Sequence, residues 1–440
     1  MIQIPQKLQL IVLGDNKPFI NIFLFLIYLE SVQFSLPLFD TEKINNVFKV
    51  FDDSVKPASS ITLAYSGGKD STLLATLFFE WLKTHPELSL KINIMHNDTM
   101  SEIDPMEDWA RSFILSFKQN VEKFTSSTVE VQIKTPKPID TFYWRSIIRG
   151  YPAPSFNFRW CVHLLKEKPA KLDSIQGKLF TGLRDAESST RSGLMKKKYG
   201  QSCGANPGGC MAFYYSSQGN GNKVAPFRDW TDGDVWQFLF TYRKNGFFDI
   251  SPLFNLYANP KVRYGCWHCT LASVQMGLHS LDDGLSYFEA VRILYRKFSD
   301  IHYLRKKKNT GYSKLGPLNA TGRSILLNLI IIAEQLSGLR LYGLDHTTIE
   351  GYSLRELLFE LPPKKAAQKI KKADPRLPDY RYVTISRIRS ISTNKSTVLR
   401  AIKDVKGRYQ KEKAFKLLKE SGRDPFEKIL EALKEKVQDS

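Results

Sequence analysis

Acidic residues are scarce beside basic ones: the 440-residue chain has 44 Asp and Glu against 64 Lys and Arg, a formal net charge of +20. So one-sided a balance attracts polyanions, of which nucleic acid is the commonest large one. Cysteine is sparse as well, with five residues and none after Cys269. An odd number that includes two close pairs argues against a disulfide framework and fits a metal or cluster site in a reducing compartment. Long hydrophobic runs are missing. Phe19 to Leu29 is strongly apolar but runs only eleven residues before Glu30, where a spanning helix needs about twenty. Asp15 precedes that run and no small-residue cleavage site follows, so a signal peptide is not expected either. The expectation is a buried element packed on the main domain, in a cytoplasmic protein with no membrane partner. Internal repeats are absent. The remaining composition, 42% hydrophobic and 25% charged, is that of a globular protein, and the length predicts two or three domains.

What is present begins with an N-terminal appendage, residues 1–57, ending at Lys56-Pro57. Ile61-Thr62-Leu63-Ala64-Tyr65 then reads as a short strand, followed by a Gly-Gly turn and a helical stretch from Ser71 to Trp81. Lys91 to Asn97 reads as a second strand, with Ile92, Ile94 and His96 alternating against Asn93, Met95 and Asn97. A helix is expected from about Pro105 to Lys123, a third strand over Val129–Ile133, and a fourth over Leu179–Gly182. Strands separated by helical crossovers predict an α/β fold, a doubly wound parallel sheet with helices on both faces. Residues 193–222 are rich in Gly, Ser and Asn and read as a long irregular excursion, a length that is usually functional or mobile. The expected domains are 58–281 for the sheet with its Cys-bearing loops, 282–363 for a helical region, and 364–440 for a basic helical tail. The tail has 22 Lys or Arg against 10 Asp or Glu, a net of +12.

Ser66-Gly67-Gly68-Lys69-Asp70-Ser71 lies between the first strand and its helix. Two glycines remove the Cβ atoms that keep a backbone away from an anion, and a helix N-terminus presents unpaired N–H groups and the positive end of its dipole. Ser66, Ser71 and Thr72 add hydroxyl donors, Lys69 adds charge, and Asp70 in the first turn suits a capping or metal-ligand role. The spacing is not the Walker pattern. The plain alternative is a simple Gly-Gly turn.

The hexapeptide resembles the signature of the PP-loop ATP pyrophosphatases, which include phosphoadenosine-phosphosulfate reductases, tRNA thiolation enzymes and amidating synthetases. The resemblance implies an adenine nucleotide alpha-hydrolase-like fold and cleavage of ATP between its α and β phosphates. Ser66 to Ser71 would hold the pyrophosphate end and Asp98-Thr99 would lie beside the nucleotide. Arg159-Trp160-Cys161, with Lys166 and Pro169, resembles a segment of the reductase-like branch, as does Thr181-Gly182-Leu183-Arg184 with Glu187, Ser188 and Arg191. Arg184 and Arg191 would clamp phosphate oxygens; the alternative for each is a salt bridge. Asp229 to Trp236 resembles the helix start that follows the sheet in these proteins, and is also an ordinary capped helix with Thr231 as N-cap and Asp234 three residues on. Lys69, Asp70 and Arg184 are the expected catalytic residues.

Cys266-Trp267-His268-Cys269 is a CxxC, Cys203 and Cys210 lie in the Gly-rich excursion, and Cys161 sits in the RWC segment. Spacing alone leaves an iron–sulfur cluster and a zinc site equally open, with a redox pair behind; His163 and His268 lie nearby in sequence. Arg263 to Thr270 resembles the segment of DndC-type proteins, iron–sulfur ATP pyrophosphatases of DNA phosphorothioate modification. Two further cysteines that lie shortly before the CxxC in that family have no counterpart between Ser251 and Tyr264, so either Cys203 and Cys210 substitute as ligands or the cluster differs. Cys161 competes with them, because a cysteine in its position supplies a ligand in cluster-bearing sulfate reductases. Reductases of the superfamily also use a late cysteine, whereas here Met276 to His279 carries none. The resemblance therefore implies an ATP-dependent sulfurtransferase with Mg2+ and an iron–sulfur cluster, a cysteine desulfurase as sulfur donor, and nucleic acid as partner, DNA ahead of RNA. The alternatives are thiolation of tRNA or another acceptor, a phosphosulfate-reductase-like enzyme, and a nucleotide-binding regulator without turnover.

Overall fold

Strand β1 (Ser60–Tyr65) is the centre of the sheet, and its position follows from its composition: Ile61, Thr62, Leu63 and Tyr65 are all buried. The structure is a computed structural model describing residues 41–56, 59–155, 158–170, 175, 177–187, 213–215, 222–257, 265–269, 274, 278, 284–307, 315–377 and 382–439. β1 pairs in parallel with β2 (Lys91–Asn97) on one side, and β2 pairs in parallel with β3 (Thr128–Lys134). On the other side β1 pairs with β4 (Lys178–Phe180), and β4 pairs with β6 (Asn222–Val224), both in parallel. β5 (Phe213–Tyr215) adds an antiparallel edge beside β6, so the order is β3-β2-β1-β4-β6-β5. The parallel α/β sheet predicted from the sequence is present; the antiparallel edge inside the Gly-rich excursion was not anticipated. The alternation expected along β2 is also absent. Ile92 to His96 are buried without interruption, because a central parallel strand is covered on both faces.

Three helices frame this sheet early in the chain. Helix α1 (Thr41–Ser54) buries Val47, Val50, Phe51 and Ser54, a spacing of three and four residues that puts them on one helical face. Phe51 packs against Phe78, Trp81 and Phe180 with ring centroids 5.2, 5.5 and 5.7 Å away, and Asp52 accepts a 2.8 Å hydrogen bond from the Trp81 indole. Phe78 and Trp81 belong to α2 (Lys69–Lys83), the helix that follows β1; α3 (Asp104–Phe124) follows β2 and has Pro105 in its first turn. Because Phe51 is fully buried in this aromatic cluster, Phe51→Ala is expected to cost about 3–5 kcal/mol. Urea unfolding should show the midpoint falling with little change in slope; a loss below about 1 kcal/mol would mean that α1 is not part of the domain core.

Beyond the sheet the described chain is mostly helical. α4 (Asp232–Asn245) opens on a capping box between Thr231 and Asp234, and α5 (Ser251–Leu256) follows it. α6 (Leu285–Ser299) and α7 (Ala320–Ser337) pack together and form the base of the C-terminal region. Against them lie α8 (Pro363–Ala373), α9 (Tyr382–Arg389), α10 (Lys395–Tyr409), α11 (Lys413–Glu420) and α12 (Pro425–Gln438). Val398, Ile402, Val405 and Tyr409 of α10 and Phe426, Leu430 and Leu433 of α12 are buried, so the basic residues of 364–440 decorate a packed helical body. Arg149 and the Trp144 indole both reach Asp374 of this body, at 2.6 and 3.3 Å, and Arg323 donates to the Ile148 carbonyl at 2.8 Å. Among the described residues no helix is long and apolar enough to cross a membrane; the apolar run Phe19–Leu29 lies outside them.

Candidate functional site

The carboxyl ends of β1, β2 and β4 meet at one edge of the sheet, where parallel α/β sheets hold their ligands. From β1 the chain enters the turn Ser66–Gly68. Gly67 has φ +74, the left-handed region, and a Cβ there would come within 2.9 Å of the Ala110 Cβ on α3. Both facts require glycine. The Trp109 indole donates to the Gly67 carbonyl at 2.9 Å, fixing the turn against α3. Gly68 is the N-cap of α2 and offers no side-chain cap, so the first turn's N–H groups lack the usual capping side chain. Lys69 N–H reaches the Tyr257 hydroxyl at 3.4 Å. Ser71 Oγ accepts from Ser66 N–H at 3.1 Å and lies 3.2 Å from Ser66 Oγ, so both hydroxyls are gathered at the turn.

Two cations and two carboxylates border the loop. Lys69 Nζ lies 2.8 Å from Asp70 and 3.2 Å from Asp232. Arg184, which follows β4, is fully buried, and each of its three nitrogens has an acceptor: Asp70 at 2.7 Å, Asp232 at 2.6 Å and the Trp230 carbonyl at 3.0 Å. Burial opposes the charge of Arg184, but Asp70 and Asp232 outweigh it and hold its pKa above that of an ordinary arginine. Burial likewise opposes ionisation of Asp232, and the hydrogen bond from Arg184 together with Lys69 reverses the sign and lowers its pKa. Both oxygens of Asp70 are held by these cations, which compete with any divalent ion for it. Arg184 thus reaches the loop through Asp70, and the Gly182 backbone approaches so closely that a Cβ would lie 2.7 Å from the Asp70 carbonyl oxygen.

Below the loop, β2 is followed directly by Asp98, whose two oxygens accept from Met100 N–H at 2.7 Å and from Arg111 at 2.8 Å. Burial raises the Asp98 pKa, with Glu107 adding to it. His96 lies 3.1 Å from the Tyr65 carbonyl oxygen through Nδ1 and 3.0 Å from Glu107 through Nε2. Both partners are acceptors, so both ring nitrogens donate and the ring is an imidazolium. Burial works against that charge, but the hydrogen bond and field of Glu107 prevail and the His96 pKa rises above 6.5. A raised histidine pKa stabilises the fold below the unfolded value and loses that contribution as pH climbs through the folded value. The gap in melting temperature between the wild type and His96→Gln should therefore be widest near pH 6 and narrow toward pH 9; a gap that widens with pH contradicts the charged pair.

The end of β2 also reaches the thiols. Thr99 Oγ1 lies 3.3 Å from Cys266 Sγ and donates to Glu102 at 3.1 Å, while Trp267 N–H donates to the Ser101 carbonyl at 3.0 Å. Asn97 donates to the carbonyls of Leu165 and Lys166, at 3.3 and 3.0 Å, in the segment that begins at Cys161. Burial raises the pKa of Cys161, with Cys269 adding to it, and burial and Glu102 raise that of Cys266, which also feels Cys269. Lys166 is pushed up chiefly by Cys266 and Glu102. His268, between the two cysteines of the CxxC, is buried, stacks on Phe142 at 3.6 Å, and has no hydrogen-bond partner on either ring nitrogen among the described residues.

Cys161 and Cys266 each feel the charge of Cys269, and thiol sulfurs are soft donors of the kind that zinc and iron–sulfur clusters take. Among the described residues, however, no group of three or more His, Cys, Asp or Glu side chains converges as a metal site. Arg191, Cys203 and Cys210 lie outside the described residues. Ser66, Gly67, Gly68, Lys69, Asp70, Ser71, Asp98 and Arg184 all gather at the carboxyl edge. Tyr257, Trp109, Asp232 and Glu102 join them without having been assigned a role from sequence; only Asp232 lay within a quoted motif. The matching family model is that of the phosphoadenosine phosphosulfate reductase domain, over residues 60–272. No curated protein matches the chain. Residues 60–272, with their loop, parallel sheet and edge, are thus similar to that reductase domain, a likeness that supports the PP-loop, phosphoadenosine-phosphosulfate-reductase-like superfamily for this part of the chain.

Proposed function

We propose that the protein binds ATP at Ser66–Ser71, cleaves it between the α and β phosphates, and uses the adenylated acceptor for sulfur transfer. The observation that carries this reading is the shared edge: the nucleotide loop leaves β1, and the end of the adjacent strand β2 touches Cys266 through Thr99. A nucleotide loop and a thiol group so placed suit chemistry that joins ATP cleavage to sulfur. An oxygen of the acceptor, DNA ahead of RNA, attacks the α-phosphorus, the bond to the bridging oxygen breaks, and pyrophosphate leaves. Sulfur from a cysteine desulfurase, reduced by a thiol to the sulfide level, then displaces AMP. The α2 N-terminus and Lys69 stabilise the charge on the departing pyrophosphate, with Arg191 as a further candidate. Mg2+ accompanies the triphosphate and supplies charge neutralisation. Arg184 positions Asp70 and, through it, Lys69.

Pyrophosphate release should rise on adding DNA more than on adding RNA. Stimulation by RNA alone would move the acceptor to RNA. A second reading has one observation in its favour, the neutralisation of Lys69 and Arg184 by Asp70 and Asp232: a nucleotide-binding regulator, which would bind ATP and release no pyrophosphate with any acceptor.

The thiols belong to the same proposal. Cys161, Cys266 and Cys269, with Cys203 or Cys210 as fourth ligand, would hold an iron–sulfur cluster, with zinc as the alternative. Anaerobically purified protein should contain iron and acid-labile sulfide, and Cys266→Ser should lose both. One zinc per chain without sulfide overturns the cluster.

A further inference from the structure

A cavity of about 880 Å³ opens away from the nucleotide loop, between the segment running from Ile148 to Phe158 and the helical region. Its wall carries Arg149, Arg296, Arg305, Lys306, Arg323 and Arg376, against one carboxylate, Asp300. Arg149 is committed to Asp374. Arg305 donates to the carbonyls of Gly316 and Ser299, and Arg323 to those of Ile148 and Asn319, contacts that hold a guanidinium in place without cancelling its charge. Arg296, Lys306 and Arg376 are exposed and have no carboxylate partner among the described residues.

Beside these cations lies an apolar stretch of the same wall. Phe158 is 45% exposed, its ring centroid 6.1 Å from that of Tyr151, with Pro152 and Pro154 in the same wall. An open aromatic ring next to unneutralised Arg and Lys is the combination that binds single-stranded nucleic acid: cations track the backbone and bases stack on the ring. A lone phosphate makes no use of the ring, and a duplex hides its base faces inside the stack. The volume lies toward the upper end of small-molecule pockets, ~300–1,000 Å³, and leaves room for several nucleotides. The same wall leads to the thiols. The Trp160 indole donates to the Pro152 carbonyl at 3.1 Å and its ring lies 5.4 Å from that of Tyr151, and Cys161 is the next residue.

We propose that this groove binds a single strand of nucleic acid and lays it beside the segment bearing Cys161. That the strand is the acceptor rests on the adenylation reading above; binding in the groove does not.

The test is fluorescence anisotropy of the full chain with a labelled 12-nucleotide DNA strand, the RNA of the same sequence, and the DNA duplex, over a range of salt. Either single strand should bind more tightly than the duplex. Arg296→Ser, Lys306→Ser and Arg376→Ser together should lower the magnitude of the log–log salt slope by about 2, from roughly 0.7 per lost phosphate contact. Phe158→Ala should weaken binding about tenfold or more and leave the slope unchanged. As a control of equal charge, Lys411→Ser, Lys413→Ser and Lys416→Ser remove exposed lysines of the C-terminal body that do not line the groove. Equal losses in the two triple variants, or preferred binding of duplex, overturns the proposal. If strand binding behaves as expected but ATP is never cleaved, the adenylation reading falls and the groove stands.

Discussion

Gly67→Ala is expected to reduce pyrophosphate release at least about 100-fold while leaving a folded protein. The backbone at Gly67 has φ +74, and the added methyl would sit 2.9 Å from the Ala110 Cβ, closer than carbon atoms pack. A left-handed conformation costs an L-residue about 1–2 kcal/mol, and the clash with α3 adds to it. The cheapest relief is to move the turn, because α3 is anchored in the core through Phe113, Ile114 and Phe117. Movement of the turn shifts the N-terminus of α2 and the two serine hydroxyls together, and a displacement of about 1 Å at a phosphate site is worth about 100-fold in rate. Gly407→Ala is the matched control: it lies in α10, and its methyl would meet nothing within 4 Å. That variant should keep full activity. Full activity of Gly67→Ala would show that the turn does not hold the nucleotide.

Arg184→Met should damage both stability and turnover. Arg184 is the only residue that binds Asp70, Asp232 and the Trp230 carbonyl at once among the described contacts. Its loss leaves Asp70 with Lys69 and removes the hydrogen bond that Arg184 donates to the buried Trp230 carbonyl. Breaking a buried ion pair from one side costs about 3–5 kcal/mol; the lower end, about 3 kcal/mol, applies because Asp232 is 60% exposed and water screens it. Lys69 should then follow the freed Asp70, and pyrophosphate release should fall further than stability alone explains. Arg184→Lys separates the two effects: it restores the positive charge but not the fork that spans both carboxylates. Recovery of stability without recovery of rate is the expected pattern. An Arg184→Met protein with unchanged unfolding and unchanged rate would remove the network from the account.

The Ser66–Ser71 loop was legible because its information is local. A β-rich run, two glycines and a helix start lie within fifteen residues, and the structure keeps that order from Ser60 to Lys83. β2 was placed residue for residue, yet its burial was misread, since alternation in a sequence does not reveal that helices cover both faces. The short strands β5 and β6 offer three residues each, too few for any period to show. Tyr257 and Trp109 were invisible for a different reason: they reach the loop from 188 and 42 residues away, and nothing in a sequence reports such a meeting. α1 was within reach. Val47, Val50, Phe51 and Ser54 recur at helical spacing inside what composition alone presents as an appendage. The net charge of 364–440 was equally plain, but charge says nothing of the buried Val398, Ile402, Val405 and Tyr409 that seat this region on α6.

The products of ATP cleavage test the central claim most directly. Incubating the full chain with ATP, Mg2+ and a single-stranded oligonucleotide, and separating the nucleotides by chromatography, should give pyrophosphate matched by AMP, free or joined to the acceptor, with no ADP. ADP and inorganic phosphate as the products would contradict cleavage at the α–β bond and, with it, the role assigned to Ser66–Ser71.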